Sequence, residues 1–138
     1  MAFVTEHVIE WGECDPLGII FYPNFYRWMD NASWQMFHAA GLTLASFEER
    51  FAIIGTPLVE ANCQFRLPGR PGDRLSVETT IPEWRERAFR VTHRFTCTDR
   101  LVAEGFEVRV PIRADDNPSG IAACGVPEEV RQALESVL

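Results

Sequence analysis

The amino-acid sequence predicts an α+β fold in which one long helix is covered by an antiparallel sheet. Three features carry this expectation. The stretch PNFYRWMDNASWQMFHAAG has helical periodicity. Three long segments in the second half alternate apolar and polar residues in succession, as an antiparallel meander with one covered face does. The helix is apolar nearly all round, so it must be buried on two sides or join a partner. Wrapping the sheet around it is the simplest way to hide it.

Taken in order, VTEHVIEW reads as a first strand of mixed pattern. GECDPLG is a turn by composition. In the helix that follows, Phe25, Trp28, Met29, Ala32, Met36, Ala39 and Ala40 share one stripe, and Trp34 and Phe37 fall on the other side. Asn24 is expected as the N-cap and Gly41 as the residue just past the C-terminus. LTLASFEERF reads as a loop. FAIIGTPLVEANCQFRL is β-rich but broken at Gly55-Thr56-Pro57, and LPGRPGD is a turn. The alternating strands follow: RLSVETTIPEW on Leu75, Val77, Thr79 and Ile81; RAFRVTHRFTCT on Phe89, Val91, His93, Phe95 and Cys97; LVAEGFEVRVPI on Phe106, Val108, Val110 and Ile112. TDR is a tight connection and DDNPSG a loop. PEEVRQALESVL reads as a short terminal helix with Pro and acidic residues at its start.

The 138 residues suit one domain, and 46% hydrophobic with 24% charged residues is ordinary globular composition. The net charge of −7 argues against nucleic acid or an anionic membrane as the main partner. All 13 basic residues are Arg, so every cation is a planar fork suited to phosphate or carboxylate. The four cysteines are widely spaced with no CxxC pair, which argues against structural zinc. The N-terminus lacks a basic and an apolar leader region, and no apolar run approaches the ~20 residues that span a bilayer. A cytoplasmic protein with reduced thiols is expected.

No nucleophile elbow, zinc-protease, P-loop or dinucleotide motif is present. His7 sits in a strand, His38 on the helix's polar side, and His93 in a strand facing the core or an interface; each reads as structural. Cys14 precedes a helix, which lowers a thiol pKa, but Glu13 and Asp15 flank it and raise the pKa, so a small buried thiol is the preferred reading. Asp15 is a turn residue on composition alone. The helix start behind it adds unpaired backbone N–H groups near Phe21–Asn24 at a positive dipole end, which can hold an oxyanion. A carboxylate and an oxyanion site in one turn suit acyl transfer, best from a thioester, whose thiolate leaves with a pKa near ~8.5 and needs little acid help.

GECDPLGIIFYPNFYRWMDNAS resembles the characteristic segment of the 4-hydroxybenzoyl-CoA thioesterase family, a branch of the hotdog-fold acyl-CoA thioesterases. The family pattern is G-[DE]-C-D-P-x-G-I-x-x-Y-P-N-[YF]-x-R-W-x-D. The similarity continues in GTPLVEANCQF and EWRERAF, over roughly residues 6 to 95. It implies a single hotdog domain over residues 1–138, with a long central helix wrapped by a five- to six-stranded antiparallel sheet. It implies a hydrolase that releases CoA from aromatic, 4-hydroxybenzoyl-like, or short-chain acyl-CoA without metal or cofactor. By position, Asp15 is then the nucleophile or general base and the Tyr22 N–H the oxyanion donor. Asp30 lies along the acyl pocket, and Thr56, Arg85 and Arg87 hold CoA.

Glu86 departs from the family, since the aryl-CoA enzyme carries a basic residue there. LTLASFEERF departs too, and it helps shape the acyl pocket. The other hotdog thioesterase branch carries His at the position of Tyr22, which puts this chain nearer the 4-hydroxybenzoyl-CoA branch. Hotdog proteins commonly assemble as tetramers from dimers, with sites at subunit boundaries. Three other readings stay open: a non-catalytic acyl-CoA binding module, a hotdog hydratase or dehydratase, and a reactive-thiol protein using Cys14.

Overall fold

Proline starts the central helix and glycine ends it. The computed structural model describes residues 1–138, and helix α1 spans Pro23–Ala39. Pro23 sits where a missing N–H costs nothing. The expected N-cap, Asn24, lies inside the first turn instead, and its Nδ2 donates to the Glu13 carbonyl at 2.8 Å. At the far end Gly41 takes φ 78°; its N–H donates to His38 O at 3.0 Å, and the Leu42 N–H donates to Phe37 O at 2.8 Å. This double closure needs a left-handed residue after the helix, and Gly supplies it without strain.

Five strands form the main sheet: β1 Phe3–Val8, β2 Leu58–Phe65, β3 Arg74–Trp84, β4 Phe89–Cys97 and β5 Arg100–Arg109. Their order is β1-β3-β4-β5-β2, antiparallel throughout, so β1 and β2 are the edges. The expected final strand stops early. Val110-Pro111 breaks it, because Pro111 has no N–H to give a ladder. The remainder, β6 (Ile112–Ala114), pairs with β7 (Ile121–Ala123) as a separate ribbon.

In β3 and β4 the expected residues face inward; Leu75, Val77, Thr79, Ile81, Phe89, Val91, His93 and Phe95 are all buried. In β5 the expectation holds only in part: Val108 is buried, but Phe106, Val110 and Ile112 are half-buried. Ala103, Gly105, Glu107 and Arg109 look toward α1, and Phe106 lies on the outer side beneath Arg90, whose guanidinium carbon is 3.5 Å from the ring centroid. The inward set is small residues followed by charged ones. The small residues admit the helix, and the charged ones pair with it.

LTLASFEERF is a helix rather than a loop: α2 covers Leu44–Phe51. Thr43 Oγ1 accepts from Ser46 N at 3.1 Å while Ser46 Oγ accepts from Thr43 N at 2.8 Å, a reciprocal cap. Helix α3 covers Glu128–Glu135. The core has two parts. Phe25, Trp28 and Met29 pack on the sheet with Leu75, Val77 and Phe95. Met36 and Phe37 pack with Phe47, Phe89, Val130 and Leu134. So the second side of α1 is covered by α2 and α3 of the same chain. Phe37 is inside with the main stripe, Trp34 is half-buried, and Ala39 is exposed.

Gly105 marks the closest approach of helix and sheet. A Cβ there would lie 2.5 Å from Asn62 O and 2.7 Å from Met29 Sδ. Gly105→Ala is therefore expected to lower stability by about 1–3 kcal/mol, read as a fall in the urea midpoint with an unchanged slope.

Candidate active site

Asp15 is placed by a turn that its neighbours specify. Gly18 N–H donates to Asp15 O at 2.8 Å and Asp15 N–H to Ile19 O at 2.9 Å. Pro16 presets the first turn angle, and Gly18 takes φ 76° to close the loop. Asp15 Oδ1 accepts from Leu17 N at 2.9 Å and from Ile19 N at 3.5 Å. Oδ2 accepts no hydrogen bond within the chain. One oxygen thus fixes the carboxylate, and Asp15 lines a cleft of about 490 Å³ together with Ile19, Tyr22, Phe25, Phe65 and Arg66.

Tyr22 stands on the same cleft at the foot of α1. The backbone groups around it are used: Phe21 N–H donates to Glu13 O at 2.9 Å, Asn24 N–H to Phe21 O at 3.0 Å and Phe25 N–H to Tyr22 O at 3.1 Å. The Tyr22 N–H donates to nothing in the chain. It is a free donor at the positive end of a 17-residue helix, on a residue that lines the cleft with Asp15.

Glu13, to which the sequence reading gave no role, ties the turn to the helix. Its carbonyl takes Phe21 N–H and Asn24 Nδ2. Its carboxylate takes Glu10 N–H at 2.7 Å, His7 Nε2 at 2.8 Å and Trp28 Nε1 at 3.3 Å. Burial alone would raise the Glu13 pKa, but these donors outweigh it and hold the carboxyl below its ordinary value. Cys14 is half-buried against the core, and its pKa is raised by desolvation and then by Asp15, Glu13 and Asp73. A thiol held protonated is a poor nucleophile.

Asp30 and Thr56 belong to a second cluster, joined by a residue the sequence reading missed. Arg109, 2% exposed, donates to Asp30 Oδ1 at 2.8 Å, Glu107 Oε2 at 2.9 Å and Thr56 O at 3.1 Å. Glu107 Oε1 accepts from Ser33 Oγ and lies 2.9 Å from His93 Nε2, and His93 Nδ1 lies 2.9 Å from Thr79 Oγ1. The Ser33–His93–Glu107 group has triad residue types without triad geometry. Ser and Glu meet the same ring nitrogen, and all three are at most 1% exposed.

Arg85 and Arg87 lie apart from both groups, on the β3–β4 hairpin. Arg85 N–H closes the turn on Ala88 O at 2.8 Å, and its side chain pairs with Glu83 at 2.7 Å. Both arginines are exposed, and neither lines the Asp15 cleft. The six expected residues therefore form three groups: Asp15 with Tyr22, Asp30 with Thr56, and Arg85 with Arg87.

A family model described as the thioesterase-like superfamily matches residues 9–134. The chain is 39% identical over 117 residues to 4-hydroxybenzoyl-CoA thioesterase of Pseudomonas sp. strain CBS-3, covering 83% of this chain and 79% of the relative. An Asp-to-Asn variant of 4-hydroxybenzoyl-CoA thioesterase complexed with 4-hydroxybenzoyl-CoA superposes with a TM-score of 0.88 at 32% identity, covering 96% and 98% of the two chains. A gentisyl-coenzyme A thioesterase superposes with a TM-score of 0.81 at 34% identity, covering 95% and 98%. The five-stranded antiparallel sheet around α1 is the hotdog fold of these thioesterases.

The buried Glu107 predicts a pH dependence. Burial works to raise its pKa, but His93, Arg109 and Ser33 outweigh this and hold it below the ordinary 4.5. A lowered folded-state pKa gives stability that is complete above the unfolded value and lost as pH falls through the folded one. Wild-type protein should therefore lose stability below about pH 4.5. Glu107→Gln should cost about 3–5 kcal/mol at pH 7 and show a flatter decline in acid, measured by urea midpoints across a pH series.

Proposed function

The chain belongs to the thioesterase-like superfamily, and from that premise we propose that it hydrolyses aromatic acyl-CoA thioesters, with Asp15 as nucleophile or general base and the Tyr22 N–H as oxyanion donor. One observation carries the assignment: Asp15 and Tyr22 line one cleft, and each has a group unpaired within the chain, the Asp15 Oδ2 and the Tyr22 N–H. Attack on a thioester carbonyl moves negative charge onto its oxygen. A fixed N–H at a helix start stabilises that charge without reorganising. The free Asp15 oxygen either attacks the carbonyl carbon, giving an acyl anhydride that water then cleaves to free acid and Asp15, or takes a proton from the attacking water. The CoA thiolate leaves without needing a general acid.

The aromatic lining of Tyr22, Phe25 and Phe65 supports an aryl acyl group. The relatives act on 4-hydroxybenzoyl-CoA and gentisyl-coenzyme A, which supports the same class. A hydratase would need a His–acid pair open to substrate; His93 with Glu107 is sealed, and His7 with Glu13 lines no part of the Asp15 cleft. We assign Asp30 to the acyl end, and Thr56, Arg85 and Arg87 to CoA. The two arginines lie away from the Asp15 cleft, so in this reading they serve the cleft of a neighbouring subunit. Edge strand β2 exposes Leu58 and Val59 and has a free ladder side for a second copy, which supports a dimer and from it a tetramer. No helix is long and apolar enough to cross a membrane. Four free cysteines support a cytoplasmic location.

Steady-state hydrolysis of 4-hydroxybenzoyl-CoA checks the assignment. Asp15→Asn should lose at least ~10²-fold in kcat, and Cys14→Ala should keep rates near wild type. Equal rates for Asp15→Asn and wild type would remove the mechanism. Tight binding without turnover in wild type would make the protein an acyl-CoA binding module.

A further inference from the structure

We propose that Glu13 is a positioning residue that sets the Asp15 carboxylate and the Tyr22 N–H in register with each other. This rests on the reading of those two groups as the reacting carboxylate and the oxyanion donor. Residues 13 to 21 form a closed loop, and its base is one bond, from Phe21 N–H to Glu13 O at 2.9 Å. Above the base Cys14 pairs with Ile20 as a single antiparallel bridge, and Asp15 N–H donates to Ile19 O at 2.9 Å. Asp15 thus lies two residues past one side of the base, and Tyr22 one residue past the other. The place of Glu13 decides how far apart the two groups stand. Asn24 Nδ2 donates to the same carbonyl at 2.8 Å, so the base is also pinned to the first turn of α1.

The side chain of Glu13 holds that carbonyl in place. It is 15% exposed and stands on a three-residue turn whose own hydrogen bonding is weak. Oε1 accepts from Glu10 N–H at 2.7 Å and lies 2.8 Å from His7 Nε2. Oε2 accepts from Trp28 Nε1–H at 3.3 Å and lies 3.0 Å from His7 Nε2. These donors come from the turn, from β1 and from α1, and Trp28 is itself buried in the core. A charged acceptor holds its donors more strongly than a neutral one. Both oxygens receive a fixed N–H, so an amide in this place sets its NH2 against a donor whichever way it turns. Neither Glu13 nor His7 lines the Asp15 cleft, so Glu13 acts through the loop rather than on the ester.

Steady-state hydrolysis of 4-hydroxybenzoyl-CoA, per mole of folded protein, tests this in wild type, Glu13→Gln, His7→Leu, His7→Gln and Asp15→Asn. Glu13→Gln keeps the size of the side chain and should lower kcat roughly tenfold or more, with KM close to wild type. His7→Leu alters a half-buried residue of edge strand β1 and serves if Glu13→Gln fails to fold. It should lower kcat with KM unchanged, and His7→Gln, whose amide N–H can take the place of the ring N–H, should restore it. A merely structural Glu13 lowers the urea midpoint but leaves kcat per folded molecule at the wild-type value, which overturns the proposal. A rise in KM with kcat unchanged overturns it too, by making Glu13 a binding group. Should Glu13→Gln not fold, a wild-type kcat in His7→Leu refutes the proposal, as does an equal loss in both His7 variants. A large loss in Asp15→Asn beside a wild-type kcat in Glu13→Gln leaves the thioesterase reading standing and removes the positioning role alone. No turnover in wild type, or equal rates for Asp15→Asn and wild type, removes that reading and the proposal with it.

Discussion

Helix α1 has to be covered along most of its circumference while its first turn stays open, and that pair of demands organises the molecule. Its apolar residues cannot be hidden by one flat sheet face. The sheet takes the N-terminal half, and α2 and α3 take the C-terminal half around Phe37. Each fully buried large side chain is worth about 1.5–3 kcal/mol, so the covered length anchors the helix firmly. The first turn is left with polar work only. Pro23 removes one donor, Glu13 absorbs its neighbours, and the Tyr22 N–H remains free beside Asp15.

The same burial makes polar groups on α1 expensive unless they are paired. Ser33 and Asp30 lie on turns that face β5, and β5 answers with Glu107 and Arg109. Gly105, two residues before Glu107, lets the helix come close enough for those bonds to form. These buried pairs thus tie α1 to β5 through one set of residues. The Asp15 end is separate, held through Glu13, His7 and Trp28.

Much of this was legible in the sequence where the signal is local. The stripe of α1, its Pro and Gly boundaries, and the alternation of β3 and β4 are read from neighbours a few residues apart. The Asp-Pro-x-Gly turn is too. What was not legible depends on long-range pairing. Arg109 meets Asp30 and Thr56 from 79 and 53 residues away. Alternation alone placed Phe106 inside with Val108, because apolar residues normally face a core; Val108 is buried but Phe106 is not. Here Glu107 and Arg109 face it, satisfying each other and the helix. The cap of α2 was a local signal that a short, charged segment obscured. The separation of Arg85 and Arg87 from the cleft is a matter of topology, which no motif encodes.

The central claim is that a thioester carbonyl sits between the free Asp15 oxygen and the free Tyr22 N–H. A crystal structure of the Asp15→Asn protein with intact 4-hydroxybenzoyl-CoA tests it most directly. The account predicts the carbonyl oxygen about 3 Å from Tyr22 N and the carbonyl carbon facing the side chain at position 15. An ester bound with its carbonyl away from the Tyr22 N–H would contradict it.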